Sequence, residues 1–309
     1  MNFNLERRTI YLVRHGSHAY GTNIETSDED QRGVCIPTDE YFYGLQNFEQ
    51  SVRTDPDVTI FSLKKFAALA ADCNPNVVEI LFVHPDDVLK LTGWGRDLLD
   101  HRSLFVTKKA KHTFSGYAHA QLKKIKTHRN WLLNPPKKPP ERKDLGLPDN
   151  CKFSKAQLGV FENLTQEELN LLSAEAQHFY QQERAYQNAF THWTQYQNWK
   201  NSRNPKRAET EAKYGYDTKH AMHLIRLMRM CNEILRGEGV IVRRPDAEEL
   251  KAIRRGSMTY EQLVEMAEAL DKEAERLYAT SQLPNAPDRV AINDLIVEMT
   301  YEYLIWYGE

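Results

Sequence analysis

Short apolar runs alternate with an amphipathic stretch in the first third of the chain. Residues 8–14 (RTIYLVR) and 31–38 (QRGVCIPT) are rich in apolar, β-branched and aromatic residues, a composition that predicts β-strands. Residues 59–73 (TIFSLKKFAALAADC) place apolar residues at helical spacing over most of their length, which predicts an amphipathic helix. Residues 77–83 (VVEILFV) predict a further strand with one acid inside it. This alternation of strands and helix favours an α/β or α+β N-terminal region.

Helical periodicity replaces this pattern in the rest of the chain. A proline-rich segment at 134–150 (NPPKKPPERKDLGLPDN) interrupts it, and because proline cannot continue a helix we predict a linker or loop there. Capping-box pairs, Thr165 with Glu168 and Thr259 with Gln262, predict helix starts, and Gly237 predicts a helix end. The sequence therefore predicts an α+β domain over residues 1–133, a Pro/Lys-rich linker or loop over 134–150 and a mostly helical domain over 151–309.

Composition narrows the class of protein only slightly. The net charge of −2 combines 41 basic and 43 acidic residues, so any basic footprint for nucleic acid must be local. No apolar run approaches the roughly 20 residues of a membrane span, and the N-terminus lacks a signal-peptide pattern, so we expect a soluble cytoplasmic protein. The four cysteines are far apart and predict reduced, mostly buried thiols: Cys35, Cys73, Cys151 and Cys231. Nothing in the sequence indicates an oligomeric state.

Three consecutive acids, Asp28, Glu29 and Asp30, precede the second predicted strand. In an extended chain Asp28 and Asp30 share one face while Glu29 points to the other. Two carboxylates on one face favour a cation between them, and Mg²⁺ prefers oxygen ligands together with water and substrate phosphate. Two such ions roughly 3.5–4 Å apart activate an attacking hydroxyl and neutralise a leaving pyrophosphate. The triplet therefore predicts a magnesium site, with Mn²⁺ as the alternative ion, although an acidic surface turn has the same pattern.

A third carboxylate is expected to complete this metal site. Glu79 is the favoured candidate because it is the lone acid within the predicted strand 77–83, where packing alone would not place it. Asp57, just before the predicted helix, is the alternative. The sequence leaves the choice open.

Gly16 and Ser17 supply the expected substrate side of the site. Glycine allows close backbone approach, and the Ser17 hydroxyl with the following amides predicts a small anion-binding nest for a β- or γ-phosphate.

This arrangement resembles the nucleotidyltransferase superfamily typified by DNA polymerase β, whose signature is a hydrophobic-Gly-Gly/Ser motif, about ten residues, and then Asp-x-Asp. Further blocks look like the RNA repair pathway DNA polymerase β family: GSHAYGTN…SDEDQRGV, NPNVVEILFV, FSGYAHAQLKKI, YGYDTKHAMHLIRLMRMCNEIL and SQLPNAPD. The resemblance implies a polymerase β-like catalytic domain in which Ser17 contacts phosphate while Asp28, Asp30 and Glu79 ligate metal. Glu29 and Gln31 depart from the pattern, since the superfamily usually has hydrophobic residues in their places.

The segment 217–235 predicts a helix with a wide apolar face and a basic opposite face. Lys219, His223 and Arg226 gather on the basic face at i, i+4 and i+7. This spacing fits a solvated surface equally well. The resemblance, in which this block is prominent, implies that Lys219 and Arg226 grip phosphates and that His223 or His220 contacts phosphate, base or acceptor.

Aromatic and basic positions elsewhere give weaker indications. Tyr20 and Tyr117 are candidates for stacking on a base or ribose, although such aromatics also serve as core residues. Arg254 and Arg255 lie at a predicted helix end, where the helix dipole favours basic residues in any case. The basic segments KKPPERK and KNSRNPKR are candidates for contact with an RNA backbone, although runs of this kind are commonly just solvated.

The sequence thus predicts a magnesium-dependent enzyme that transfers a nucleotidyl group from a nucleoside triphosphate to a hydroxyl. The resemblance implies an RNA 3′ end as acceptor, such as that of a cleaved tRNA. Two alternatives remain: transfer to a protein side chain, and a catalytically idle module that binds nucleotide or RNA ends.

Overall fold

A computed structural model describes residues 3–150 and 155–307 of this chain. Its five strands are β1 (Thr9–His15), β2 (Asp30–Cys35), β3 (Gln50–Thr54), β4 (Asp57–Ser62) and β5 (Val88–Leu91). The helices of the N-terminal region are α1 (Leu5–Arg8), α2 (Gly16–Tyr20), α3 (Glu40–Tyr43), α4 (Leu63–Ala71), α5 (Pro75–Val78), α6 (Gly93–Asp100) and α7 (Ala110–Leu133). Those that follow are α8 (Lys155–Glu162), α9 (Gln166–Asn170), α10 (Ala174–Ser202), α11 (Pro205–Tyr214), α12 (Thr218–Arg236), α13 (Ala247–Arg254), α14 (Tyr260–Thr280) and α15 (Arg289–Trp306).

The five strands form one mixed sheet in the order β3-β4-β2-β1-β5. Strand β1 is antiparallel to both β2 and β5, β2 is parallel to β4, and β3 is antiparallel to β4. A mixed sheet at the N-terminus, followed by helices, confirms the predicted α+β class and the mostly helical C-terminal part.

The chain separates into two compact units. The sheet unit comprises residues 1–125 and 217–309, and the inserted unit comprises residues 126–216. This division differs from the boundaries predicted from the sequence, because the C-terminal helices belong to the same unit as the sheet: α15 packs on α4 and α6. The catalytic role predicted for residues 1–133 and the binding role predicted for residues 151–309 stay predictions.

Residues 77–83 are not a strand, so the strand predicted there is wrong. Asn74 caps α5 by accepting a hydrogen bond from the Asn76 amide, Pro75 occupies the first turn, and Glu79–Phe82 continue as a 3-10 turn. A segment buried on every side has the same unbroken apolar pattern in a helix as in a strand, so periodicity does not distinguish them. Glu79 lies in this turn rather than on a sheet edge.

The helix predicted over 59–73 is shorter than expected. Its first residues belong to β4, and Ser62 ends that strand and caps α4 by accepting from the Lys65 amide. Two other predicted features are confirmed: both capping boxes are formed, and Gly237 ends α12 with a φ of 87°.

The predicted burial of the thiols is confirmed for three of the four cysteines. Cys35, Cys73 and Cys231 are buried and free, while Cys151 lies outside the described residues. Within the described part of the chain, no helix has the length and apolar character needed to cross a membrane.

The close packing of α6 on β1 gives a test of the fold. A Cβ on Gly95 would lie 2.5 Å from the Ile10 carbonyl oxygen, whereas one on Gly93 would meet nothing within 4 Å. We expect Gly95→Ala to lower the free energy of unfolding by about 1–3 kcal/mol, because the strand must shift to admit the methyl group. Gly93→Ala, in the same helix, should be neutral or slightly stabilising. Thermal unfolding followed by circular dichroism compares the two, and equal effects would contradict this packing.

Candidate active site

Three strand ends meet at one edge of the sheet. His15, the last residue of β1, pairs with Asp30, the first residue of β2. Gln31 lies beside Val58 in the parallel pair β2 and β4, so Asp30 and Asp57 stand next to each other where these strands begin. Strand direction and register therefore bring two acids together that are 27 positions apart in the chain.

The carboxyl groups of Asp30 and Asp57 lie close enough for each to affect the pKa of the other. Burial raises the pKa of Asp30, and the nearby charges of Asp57 and Asp28 raise it further, whereas Arg32 lowers it. Asp28 precedes the strand and is exposed, so it is not on the strand face predicted for it. Three acids thus crowd this edge, although in the described residues their oxygens are not all within 4.8 Å of one another.

Arg32 is the cation that the strands supply to this edge. Its Nη1 and Nη2 donate to the two carboxylate oxygens of Asp57, each at 3.1 Å. This bidentate contact holds the pKa of Asp57 below its usual range. One guanidinium therefore fixes the orientation of Asp57 and also acts on the neighbouring Asp30.

Gly16 is required at this edge because its backbone lies very close to the Asp30 carboxylate. Its φ is +64°, and a Cβ built on it would lie 2.2 Å from Oδ2 of Asp30. Any side chain would therefore displace the carboxylate as well as strain the backbone. Ser17 follows as the second residue of α2, and Gly21 ends this helix with a φ of 71°.

Glu79 is held in a buried cluster instead of joining the acids at the edge. Its Oε1 accepts from Arg226 Nη1 at 2.8 Å and its Oε2 accepts from the Tyr20 hydroxyl at 2.5 Å. The Arg226 guanidinium carbon lies 3.8 Å from the centre of the Tyr20 ring. Glu79 is fully buried, and Tyr20 and Arg226 are each 3% exposed.

This cluster bears on three predicted roles. Tyr20 is a candidate for stacking on a nucleotide or for the core, the resemblance implies that Arg226 grips phosphate, and Glu79 is the favoured third metal ligand. In this structure the polar ends of the three contact one another. None of the three presents a surface to a nucleotide.

His15 lies at the border between the buried cluster and the acidic edge. Its Nε2 is 3.8 Å from Oε2 of Glu79, and its ring meets that of Tyr20 edge to face. Burial lowers the pKa of His15 to about 4, so it is neutral at physiological pH.

The start of α12 gathers positive charge. Lys219 and Arg254 lie near the half-buried His223, and burial together with these cations and Arg226 lowers the pKa of His223 to about 3. His220 Nδ1 lies 2.8 Å from Oδ2 of Asp217. The Thr218 hydroxyl donates to the Arg254 carbonyl oxygen and links this turn to the end of α13. A neutral histidine among cations is an environment that favours an anion.

Other predicted positions have structural roles. Tyr117 is exposed on α7, and its hydroxyl accepts from the Asn74 side chain at 3.2 Å. Glu29 pairs with Arg14 at 3.5 Å and accepts from Gln31, which accounts for polar residues where the superfamily has apolar ones.

Two residues of the edge, Arg32 and His15, are missed by the sequence motifs. His15 ends the apolar run of β1 and Arg32 precedes the apolar end of β2, and this is the available signal, since a charged or titratable residue beside buried apolar positions needs a partner. The position of Arg254 beside His223 depends on how α13 packs on α12, which its place at a helix end does not predict.

Comparison with known proteins bears on the first part of the chain. The model of the RNA repair pathway DNA polymerase beta family matches residues 3–134. An uncharacterized 38.9 kDa protein in the nrdC-mobD intergenic region of Enterobacteria phage T4 is 30% identical over 130 residues, which are 38% of this chain and 38% of that protein. The chain thus spans well under half the length of this curated relative. No solved structure matches the chain.

The matched region holds the whole acidic edge, including Gly16, Asp28, Asp30 and Asp57, while α12 lies beyond it. The family suggests a polymerase β-like nucleotidyltransferase in RNA repair. The resemblance drawn from the sequence blocks is thereby confirmed for this region: residues 3–134 match the RNA repair pathway DNA polymerase beta family.

Proposed function

We propose that the protein is a metal-dependent nucleotidyltransferase that transfers a nucleotidyl group from a nucleoside triphosphate to the 3′ hydroxyl of an RNA. The observation that carries this proposal is the meeting of Asp30 and Asp57 at the edge of the sheet, beside Gly16 and close to Asp28. The family match supports the same class of reaction at a coarse level.

The acidic edge has the chemistry of a magnesium site. Asp28, Asp30 and Asp57 offer carboxylate oxygens, the donors that Mg²⁺ and Mn²⁺ prefer. The charges of Asp57 and Asp28 raise the pKa of Asp30, and a divalent ion bound among these groups would offset that repulsion. Bound there, magnesium would polarise the α-phosphate and lower the pKa of the acceptor hydroxyl.

Asp57 is the better candidate for the third carboxylate. It stands beside Asp30 in the sheet, is half-buried and is oriented by Arg32. Glu79 is fully buried and both of its oxygens are occupied by Arg226 and Tyr20. Releasing Glu79 to a metal would leave the Arg226 cation buried without a counter-charge, which is costly.

The remaining predicted residues divide between substrate contact and support. Ser17, at the start of α2, would donate to a phosphate oxygen, and Lys219 with the cations around His223 would steady the leaving pyrophosphate. Tyr20 and Arg226 would act by holding α2 and α12 in place through Glu79. The acceptor oxygen then attacks the α-phosphorus in line and pyrophosphate leaves.

Removing one edge carboxylate tests the metal ligands. We expect Asp57→Asn to reduce nucleotidyl transfer by about 100-fold or more, because an amide is a poorer ligand and leaves Arg32 without its ion pair. Asp55→Asn is the matched control, since Asp55 is exposed in the same turn between β3 and β4. Transfer from an α-labelled triphosphate measures the activity of both variants. Equal activity in Asp57→Asn and Asp55→Asn would exclude Asp57 as a metal ligand.

Glu79→Gln distinguishes the two candidates for the third carboxylate. We expect a loss of about 3–5 kcal/mol in the free energy of unfolding, because the buried Arg226 charge loses its partner. Urea unfolding gives the stability, and transfer normalised to the folded fraction gives the chemistry. Abolished transfer in a variant of unchanged stability would instead favour Glu79 as a metal ligand.

Metal binding has a signature that is independent of activity. Mg²⁺ or Mn²⁺ should raise the melting temperature of the wild type, with about 2.7 kcal/mol of stabilisation at a hundredfold excess over the dissociation constant. Asp30→Asn should abolish this rise and leave the metal-free protein at least as stable, because it removes repulsion between two carboxylates. Differential scanning fluorimetry with and without the metal measures this rise in melting temperature for both proteins. A metal-dependent rise of wild-type size in Asp30→Asn would contradict the site.

The acceptor is identified by where the label goes. Incubation with Mg²⁺ and each labelled triphosphate, with and without RNA, should place label on the RNA 3′ end. Label on protein alone would replace this proposal with nucleotidylylation of a side chain, and nucleotide binding without transfer would indicate an idle binding module.

A further inference from the structure

The inserted unit contains a cleft that the proposed chemistry does not use. It lies between the proline-rich segment and α10, has a volume of about 270 Å³, and is lined by Pro136, Pro139, Pro140, Ala189, His192 and Trp193, with Lys138 also at its wall. This volume is below the roughly 300–1,000 Å³ of clefts that enclose a drug-sized ligand. Its size suits one flat ring system rather than a whole nucleotide.

The walls of the cleft are built for such a ring. Trp193 is half-buried, and its indole packs near Tyr196 with ring centres 6.0 Å apart. Three prolines also line the cleft, so an inserted ring would meet apolar proline surface as well as the aromatic indole. Aromatic side chains of this kind stack on nucleobases with little regard to base identity.

A hydrogen-bond donor is fixed beside these walls. The buried Trp131 Nε1 donates to His192 Nε2 at 2.8 Å. A neutral imidazole that accepts at Nε2 carries its proton on Nδ1, so His192 retains one N–H for a ligand. The cleft therefore offers apolar and aromatic surface for a planar group, with an imidazole N–H among its lining residues.

The charge of the inserted unit distinguishes it from the rest of the chain. Residues 126–216 hold 14 lysines and arginines against 10 aspartates and glutamates, while the whole chain has a net charge of −2. Lys138 at the cleft wall pairs with Glu141 and Asp144 on the exposed surface. Such exposed pairs contribute little and exchange readily for a phosphate. An anionic polymer with flat rings matches this surface better than a neutral or cationic partner does.

We propose that this cleft binds a nucleobase of single-stranded RNA, stacked on Trp193, with the neighbouring lysines along the backbone. The proposal rests on the proposed function only in naming the bound strand as the acceptor.

Binding of a fluorescein-labelled single-stranded RNA of about 12 nucleotides to the full chain tests it by fluorescence anisotropy. Trp193→Ala should weaken binding about 5- to 100-fold, because one stacked base is lost. Trp193→Phe should retain most of the affinity, since a phenyl ring still stacks. Trp306→Ala, which removes an exposed indole from α15 in the sheet unit, is the matched control and should bind like the wild type.

Intrinsic fluorescence gives a second measurement that does not depend on loss of fold. RNA should quench part of the wild-type tryptophan emission, and this quenching should decrease in Trp193→Phe while circular dichroism stays unchanged. Absence of RNA binding by the wild type, or equal affinity in Trp193→Ala, would overturn the proposal.

The two proposals fail separately. RNA binding that depends on Trp193 without any nucleotidyl transfer would retain the cleft and refute the enzyme. Nucleotidyl transfer to RNA, together with wild-type RNA affinity in Trp193→Ala, would retain the enzyme and refute the cleft.

Discussion

The buried ion pair between Glu79 and Arg226 is the interaction on which the candidate site depends. It joins the 3-10 turn after α5 to the middle of α12, residues 147 positions apart, at an Nη1 to Oε1 distance of 2.8 Å. Burying two charges is costly, and the cost is offset here because the Tyr20 hydroxyl and ring satisfy the remaining carboxylate oxygen and the guanidinium face. Tyr20 is the last residue of α2, and the first is Gly16, which touches Asp30. The pair therefore holds in place the short helix that borders the acidic edge.

Charges in the buried cluster and charges at the edge are balanced in different ways. Glu79 has a cation, a hydroxyl donor and a nearby neutral histidine, so nothing further is needed to compensate it. At the edge, Arg32 provides one positive charge while Asp28, Asp30 and Asp57 provide three carboxyl groups. A protein gains no stability from such crowding, and residues that break the rules of stable packing concentrate at functional sites. This imbalance, rather than the presence of acids as such, is the physical argument for a cation at the edge.

The sequence predicts the parts of this site that depend on local chemistry. Gly16, Asp28 and Asp30 are recognisable because packing alone seldom places a glycine at the end of an apolar run or acids so close together. The choice between Glu79 and Asp57 cannot be made in the same way. It depends on whether VVEILFV is a strand or a helical turn, and an apolar run buried on every side has no periodicity that separates the two. It also depends on which strand lies beside β2 in the sheet. That strand is β4, although β3, which lies at the edge of the sheet, comes between β2 and β4 in the chain.

Arg226 shows a related limit. Its spacing with Lys219 and His223 places the three on one side of α12, but spacing on a helix does not say whether that side meets solvent or a buried acid. The deciding residue, Glu79, is far away in the chain and lies in a segment for which the apolar pattern predicts the wrong structure.

Charge distribution bears on the proposal that the acidic edge acts on RNA. Residues 1–125 and 217–309 hold 27 lysines and arginines against 33 aspartates and glutamates, so the part of the chain with the carboxylates repels a polyanion on average. Affinity for RNA then has to come from elsewhere in the chain, and the excess of positive charge lies in residues 126–216. In that arrangement the near-zero net charge of the whole protein carries no information about its partner, because two segments of opposite sign cancel. Under the two proposals, RNA affinity would depend on salt through one part of the chain, while metal affinity would depend on the few carboxylates of the other.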